Sequence, residues 1–324
     1  MLVIAEIGNN HEGDFDRAAE MVRQAAATGA DAVKFQTFRT EHYVSRSDGA
    51  RFARLKSFEF SLDQFEALSV LARQLGMLFV STPFDLASAR GLRPMVDAFK
   101  VSSGDLLFFP LLSEIAASGK PVILSSGGSC MQHVAEAIEY VRSTQERKGA
   151  VDVGLLHCVS SYPTPPGEAN LGAIPALAAR FDVAVGYSDH TLGIEAAIAS
   201  VALGARIVEK HFTLDKEFSD FRDHQLSADP DEFGELVRRC RLVQSMIGTG
   251  EKRPQPCEEA GLPAMRRSIV CARDLTAGHR LNREDLTWVR PAGGLAPGKE
   301  NLLIGKVLRR PLAAGERLAV QDVL

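Results

Sequence analysis

The chain has few of the features that announce a chemistry by themselves. Its five cysteines, Cys130, Cys158, Cys240, Cys257 and Cys271, are odd in number and scattered, with no C-x-x-C pair to suggest zinc or a redox dithiol. A reduced, cytoplasmic setting is therefore expected. No G-x-G-x-x-G follows a candidate strand and no G-x-x-x-x-G-K-[ST] occurs, so nucleotide cofactors lose ground. A G-x-S-x-G elbow is missing as well, which argues against a serine nucleophile. Positive charge is not in excess: 37 Lys and Arg against 41 Asp and Glu leave a formal charge of -4, with no basic stripe for nucleic acid and no polybasic membrane anchor. The opening MLVIAEIGNNHEG lacks a basic stretch and reaches Glu6 quickly, so a signal peptide is not expected, and no later run approaches the length of a spanning helix.

What is present is an ordinary globular composition, 324 residues with 45% hydrophobic and 24% charged, enough for one large domain and a small companion. Eight short β-rich runs are found at 2–7, 32–36, 78–81, 98–102, 122–126, 153–158, 183–187 and 206–212. They alternate with amphipathic segments such as 15–28, 62–75, 134–147 and 194–203, whose apolar positions recur at three and four residues. Eight such pairs predict a closed (β/α)8 TIM barrel over 1–248. After a long helical stretch at 231–247, GTGEKRPQPCEEAGLP predicts a linker at 249–264, and a small β-rich domain is expected at 265–324. That domain carries a weak internal repeat, DLTAGHRLNREDL against PLAAGERLAVQDV, which aligns Gly278 with Gly315, Leu281 with Leu318 and Asp285 with Asp322.

In a barrel the active site lies at the C-terminal ends of the strands, and nearly every run here ends in a polar residue. Glu6, Lys34 and Gln36, Thr82, Lys100 and Ser103, Ser125, Tyr162, Ser188 and His190, and His211 hold such positions. In AVKFQ, Lys34 and Gln36 share one face, and in RIVEKHF, Glu209 and His211 do. A single buried lysine reads equally as a structural ion pair, but two lysines converging with Ser and Thr hydroxyls suit an anion pocket for phosphate or carboxylate. A lone histidine is more often structural than a ligand. His190 and His211, at adjacent strand tips with Asp223 shortly after, fit a divalent ion of the Mn, Zn or Fe kind better than Ca. His157 reads as a core residue, His11 as either a loop hydrogen-bonder or part of the site rim, and Cys158 as small core filling.

Nine ordered blocks, IAEIGNNHEG, ADAVKFQTF, STPFD, FKVSSGD, KPVILSSGG, LLHCVSSYPTP, VGYSDHTLG, VEKHFTLD and RDHQLSADPDE, make the chain resemble the sialic acid synthase family. The tail from Arg266 is similar to that family's SAF, or antifreeze-like, domain. The resemblance implies condensation of phosphoenolpyruvate with an N-acetylated amino sugar, typically N-acetylmannosamine, to a nonulosonic acid with release of phosphate. It further implies that Lys34, Thr82, Lys100, Ser103, Ser125 and Ser188 hold phosphoenolpyruvate, with both lysines and the carboxylates Glu6 and Asp105 serving the chemistry. His190 and His211 are implied to hold a divalent metal, usually Mn, with Mg or Co as alternatives. Gln36, Tyr162, Asp223 and Arg290, in VRPAGG, are implied to meet the sugar, Arg290 from the partner of a domain-swapped homodimer. Two positions depart from the family pattern: Ser160 stands where an amide is usual, and Asp105 where Glu is common, which opens the choice of sugar, legionaminic-type acids included. A Schiff-base sialic acid lyase, and a sugar-binding module on an inactive barrel, are the competing readings.

Overall fold

The computed structural model describes residues 1–145 and 152–324, and the chain divides into two units, Met1–Gly248 and Thr249–Leu324. In the first, eight parallel strands close in sequential order: β1 (Leu2–Gly8), β2 (Ala32–Thr37), β3 (Leu78–Pro83), β4 (Ala98–Val101), β5 (Val122–Ser125), β6 (Val153–Cys158), β7 (Ala184–Asp189) and β8 (Ile207–His211). Hydrogen bonding of β1 to both β2 and β8 closes the ring and leaves no edge strand. The TIM barrel expected from the alternation of periods is thus the fold.

The helices in chain order are α1 (Phe15–Ala27), α2 (Thr40–Tyr43), α3 (Gly49–Phe58), α4 (Leu62–Gln74), α5 (Leu86–Leu92), α6 (Phe109–Ala116), α7 (Met131–Gln145), α8 (Ala173–Arg180), α9 (Glu195–Ala202), α10 (Asp223–Leu226) and α11 (Pro230–Ile247). Their starts follow local chemistry. Asp14 caps α1 by accepting from the Arg17 N–H, Ser61 and Gln64 form a reciprocal capping box on α4, and Asp229 caps α11 just before Pro230. Each then buries one stripe: Ala18, Met21, Val22 and Ala25 on α1, and Phe233, Leu236, Val237 and Cys240 on α11. The segment expected at 134–147 starts earlier, at Met131, and its last two residues lie outside the described residues. β7 extends past the expected end at 187, to Asp189, and α2 and α3 were not anticipated at all.

Inside the ring, side chains alternate strictly. Ile4, Ala32, Val80, Ile123, Leu156 and Ile207 form an apolar plug, and the residues two further along are Glu6, Lys34, Thr82, Ser125 and Glu209, with Cys158 as the exception on β6. The outward set, including Val3, Val33, Phe35, Phe79, Phe99, Val122 and Val208, packs beneath the helices. Ile207 occupies space that two glycines leave open: a Cβ on Gly186 would lie 2.2 Å from the Ile207 carbonyl oxygen, and one on Gly154 would lie 2.9 Å from Ile207 Cδ1.

The second unit pairs β9 (Ser268–Cys271) antiparallel to β10 (Leu286–Val289) around Ile269, Leu275, Leu281, Leu286, Leu308, Leu312 and Leu318. Its internal repeat is structural. Leu275 bridges Leu312, Gly278 and Gly315 both take left-handed backbone at φ 83° and 80°, and Leu281 and Leu318 are both buried. Asp285 accepts from Arg273 and from the Asn282 N–H, while its counterpart Asp322 accepts from Arg310 and the Ala319 N–H. The expected linker 249–264 carries two single-turn helices, α12 (Pro256–Glu259) and α13 (Leu262–Met265). Among the described residues no helix is long and apolar enough to cross a membrane.

Gly186→Ala is expected to overpack the plug, costing about 1–3 kcal/mol. The denaturant midpoint of the purified variant measures this, and a midpoint equal to wild type would show that β8 can yield.

Candidate active site

The polar layer above the plug is a cluster of opposite charges. Register places Glu6 beside Lys34 across β1 and β2, and Ser188 beside Glu209 across β7 and β8. Lys34 Nζ lies 2.7 Å from Glu6 Oε2 and 3.7 Å from Glu209 Oε1, and it donates to Thr82 Oγ1 at 3.3 Å. Lys100 Nζ donates to both oxygens of Glu209, at 2.9 and 3.2 Å, and Ser188 Oγ donates to Glu209 Oε1 at 2.9 Å. All four charged side chains are buried, so two ammoniums neutralise two carboxylates away from bulk water. Gly8, at φ 55°, supports this: the β1 register slips between Glu6 and Gly8, and a Cβ there would lie 3.0 Å from Glu6 Oε1.

Unequal pairing with the two lysines separates the two acids. Burial raises Glu6, helped by the charge of Glu209 and opposed by Lys34. Burial acts on Glu209 the same way, but Lys100 and then Lys34 outweigh it and hold that carboxyl well below its ordinary value. Lys100 is lowered, by burial first, whereas at Lys34 the attraction of Glu209 and Glu6 overcomes burial and raises it.

One step higher, His190 and His211 stand side by side with ring centroids 5.6 Å apart, and Tyr162 lies 4.2 Å from the His190 ring. Burial keeps both imidazoles neutral, pulling His190 down to about 4 and His211 well below its ordinary value. His190 Nδ1 is 2.8 Å from the Val159 carbonyl, which only accepts, so that nitrogen carries the proton and Nε2 keeps its lone pair. His211 Nδ1 is buried without a hydrogen-bond partner. Two neutral imidazoles with an unsatisfied nitrogen fit a divalent ion. Among the described residues no group of three His, Cys, Asp or Glu side chains is placed to hold one, so an ion here would keep positions open for water or substrate oxygen.

These groups line one cavity of about 790 Å³. Of the residues expected from the sequence, Glu6, Lys34, Gln36, Thr82, Lys100, Ser103, Ser125, Tyr162, Ser188, His190, His211 and Asp223 are all on its wall. Asp105 is not: its carboxylate accepts from Ser102 Oγ at 2.6 Å, and the second carboxylate of the cluster is Glu209. Glu209 was legible as a partner of His211 on one face of its strand, but nothing in the sequence marked it as the anion between the lysines. Arg290 belongs to the second unit, where it is exposed just past β10. The rim holds residues that sequence reasoning passed over: Tyr43, Asp48, Arg51 and Arg54 from α2, α3 and the turn between them, with Phe84, Phe221 and Arg222. Arg222 lies over the Tyr162 ring at 4.7 Å, and Asp223 next to it is raised by burial, with Arg222 opposing. Ser160, the position that departs from the family pattern, is also on the wall.

The remaining candidates, His157, His11 and Cys158, lie off the cavity wall. His157 Nε2 is 2.9 Å from the Ala169 carbonyl, and His11 stacks on Phe60 while its Nδ1 accepts from the Gly13 N–H. Cys158 is buried with its sulfur 3.1 Å from Ser103 Oγ, beside the cavity and not on its wall.

A family model described as the NeuB family matches residues 21–252, and one described as the SAF domain matches residues 266–324. The chain belongs to the NeuB family. It is 38% identical to the N,N'-diacetyllegionaminic acid synthase of Legionella pneumophila over 99% of this chain and 94% of that protein. It is 36% identical to the N-acetylneuraminate-9-phosphate synthase of Homo sapiens over 94% of this chain and 87% of that protein. Among solved structures, the N-acetylneuraminic acid synthetase of Leptospira borgpetersenii superposes with a TM-score of 0.76 at 34% identity, covering 80% of this chain and 89% of that one. As a NeuB family member it is an enzyme, a transferase that forms a C–C bond.

The buried imidazoles set an acid limit on the fold. Unfolded histidines protonate near 6.5, while burial first, and then Arg17, takes His11 down to about 3. Between those values the unfolded chain binds more protons, so stability falls as pH drops through that window. We expect the melting temperature to fall from about pH 6.5 toward pH 4, and His11→Phe, which keeps the Phe60 stack, to shallow the fall by up to about 1.4 kcal/mol per pH unit. A pH series of thermal melts on both proteins checks this, and parallel slopes would contradict it.

Proposed function

We propose that this NeuB family member condenses phosphoenolpyruvate with a 2-acetamido aldose, N-acetylmannosamine or a relative with a second acetamido group, to give a nonulosonic acid and inorganic phosphate. The observation that carries the reading is one cavity in which two buried lysines lie beneath two adjacent neutral imidazoles. Lys34 and Lys100 receive the phosphate and carboxylate, and Thr82, Ser103, Ser125 and Ser188 provide hydroxyl donors around them. His190 and His211 would hold a divalent ion, of the Mn, Mg or Co kind, which when bound supplies Lewis-acid polarisation of the aldehyde.

The bond that forms joins C3 of the enol phosphate to the aldehyde carbon while the aldehyde C=O π bond opens to an alkoxide that takes up a proton, leaving positive character at C2. Water adds to C2 and gives up a proton, and the tetrahedral intermediate breaks its C2–O bond to expel phosphate and leave the keto acid. Glu6 is assigned that proton transfer, because its environment raises its pKa, while Glu209 stays ionised and fixes Lys100 and Ser188. Asp105, turned toward Ser102, has no proton-transfer part in this reading. Gln36, held by the Asn9 amide at 2.7 Å, meets the acceptor sugar together with Tyr162 and Asp223. Arg290 is assigned to the acceptor as well, supplied across a homodimer. A cytoplasmic location suits five unpaired cysteines.

Phosphate release is expected to require phosphoenolpyruvate, a 2-acetamido aldose and a divalent ion together, and to fall by at least about a thousandfold (roughly 4 kcal/mol) in His190→Ala/His211→Ala. A phosphate assay over aldoses with one or two acetamido groups measures it and ranks the acceptors. Turnover after complete chelation, or borohydride trapping of pyruvate on Lys34 or Lys100, would overturn it in favour of other chemistry.

For Arg290→Ala we expect the apparent KM for the aldose to rise about tenfold or more, equivalent to about 1.4 kcal/mol, with that for phosphoenolpyruvate little changed. Steady-state kinetics varying each substrate decides this, and an equal loss for both would contradict it. Restored activity in mixed dimers of Arg290→Ala with Lys34→Ala would test supply across the dimer.

A further inference from the structure

Directly behind the two histidines lies a second buried ion pair that the reaction does not use. Asp189 and Lys210 are Cα partners in the ladder between β7 and β8, each immediately preceding a histidine, His190 or His211. By strand alternation Ser188, Glu209 and the histidines face the cavity, so Asp189 and Lys210 face the helices. Lys210 Nζ meets Asp189 Oδ2 at 2.9 Å and also donates to the Thr191 carbonyl. Asp189 Oδ1 accepts from both the N–H and the hydroxyl of Thr191, at 2.9 and 2.8 Å. Neither charge reaches solvent: the side chains are 0% and 1% exposed.

A buried ion pair is a poor device for stability, because desolvating both charges offsets most of their attraction and apolar residues of similar volume often do as well. Its distinct effect is on register. The 2.9 Å pair closes only when Lys210 lies opposite Asp189, and a slip of one residue along either strand would turn the following histidine out of the cavity. Through Thr191 the same carboxylate also ties down the chain on the far side of His190, leaving that residue little freedom between two fixed neighbours.

We propose that Asp189 and Lys210 are positioning residues whose cross-strand ion pair holds the register that sets His190 and His211 side by side. The inference rests on the proposed function only in taking the histidine pair as the working feature of the site, and its primary readout needs neither metal nor substrate. His190 Nδ1–H, held against the Val159 carbonyl, reports directly on the position of that ring.

The variants are Asp189→Asn, which keeps an acceptor for Thr191, and Asp189→Asn/Lys210→Met, which leaves no stranded charge. In histidine-labelled protein without metal, the slowly exchanging imidazole N–H signal, assigned by its absence from His190→Ala, is expected to be lost or broadened in both variants while a cooperative melt persists. Mn(II) affinity by titration calorimetry is expected to fall tenfold or more, with affinity for phosphoenolpyruvate within about twofold of wild type, under about 0.4 kcal/mol. Retention of the signal in the folded variants overturns the proposal. Loss of the cooperative melt in both also overturns it, since the pair would then be a stability element. Wild-type Mn(II) binding that survives His190→Ala/His211→Ala would instead count against the metal reading and leave the proton signal to decide the positioning role.

Discussion

Four charges buried above an apolar plug govern the mouth of this barrel. Glu6, Lys34, Lys100 and Glu209 come from four strands, and each is removed from water by the ring that carries it. An unpaired charge at that depth would cost several kcal/mol, so each depends on its opposite number, and together they sum to zero. Thr82, Ser188 and Gln36 take their orientations from the same four groups, through hydrogen bonds to Lys34, Glu209 and Glu6. Once the cluster is formed, the floor of the site has little choice of conformation. An anion entering there meets ammoniums already aimed by carboxylates, one of which, Glu6, is the readier of the two to take up a proton.

The rim is built differently. Phe38, Val44, Leu55 and Phe58 form a small core of their own, joined by Tyr43, Phe84 and Phe221, under the segments that follow β2, β3 and β8. Glu59 fastens this layer by accepting from the Thr40 N–H and from Arg39. The paired lysines and carboxylates thus sit on strands, while Tyr43, Arg51, Arg54 and Phe221 on the rim sit on short helices and loops. Such elements can change residue by residue without disturbing the barrel.

Much of the scaffold was legible because period 2 and period 3.6 are local properties. The alternation in AVKFQ put Lys34 and Gln36 on one face, and that in RIVEKHF put Glu209 and His211 on another, which is how they point. The repeat in the second unit was visible too, since Leu281 and Leu318 must be buried and Gly278 and Gly315 must turn. What escaped was contact between distant positions. Lys100 and Glu209 are 109 residues apart, and only closure of the ring brings the amine onto the carboxylate. Asp105 was expected at the site only from the resemblance, and its carboxylate accepts from Ser102 and is not on the cavity wall. Arg51 and Arg54 went unnoticed because α3 packs on the rim core and not on the barrel.

From the order of residues alone came the barrel and the polar side chains at the strand tips, consequences of hydrophobic periodicity, and the two-part organisation, a consequence of a polar stretch rich in Gly and Pro. Which of those side chains neutralise one another, which imidazole nitrogen keeps its lone pair, and which acid is held ionised were decided only by the closed ring. Coulomb energy and desolvation depend on distance and burial in three dimensions, and neither quantity is written in spacing along the sequence.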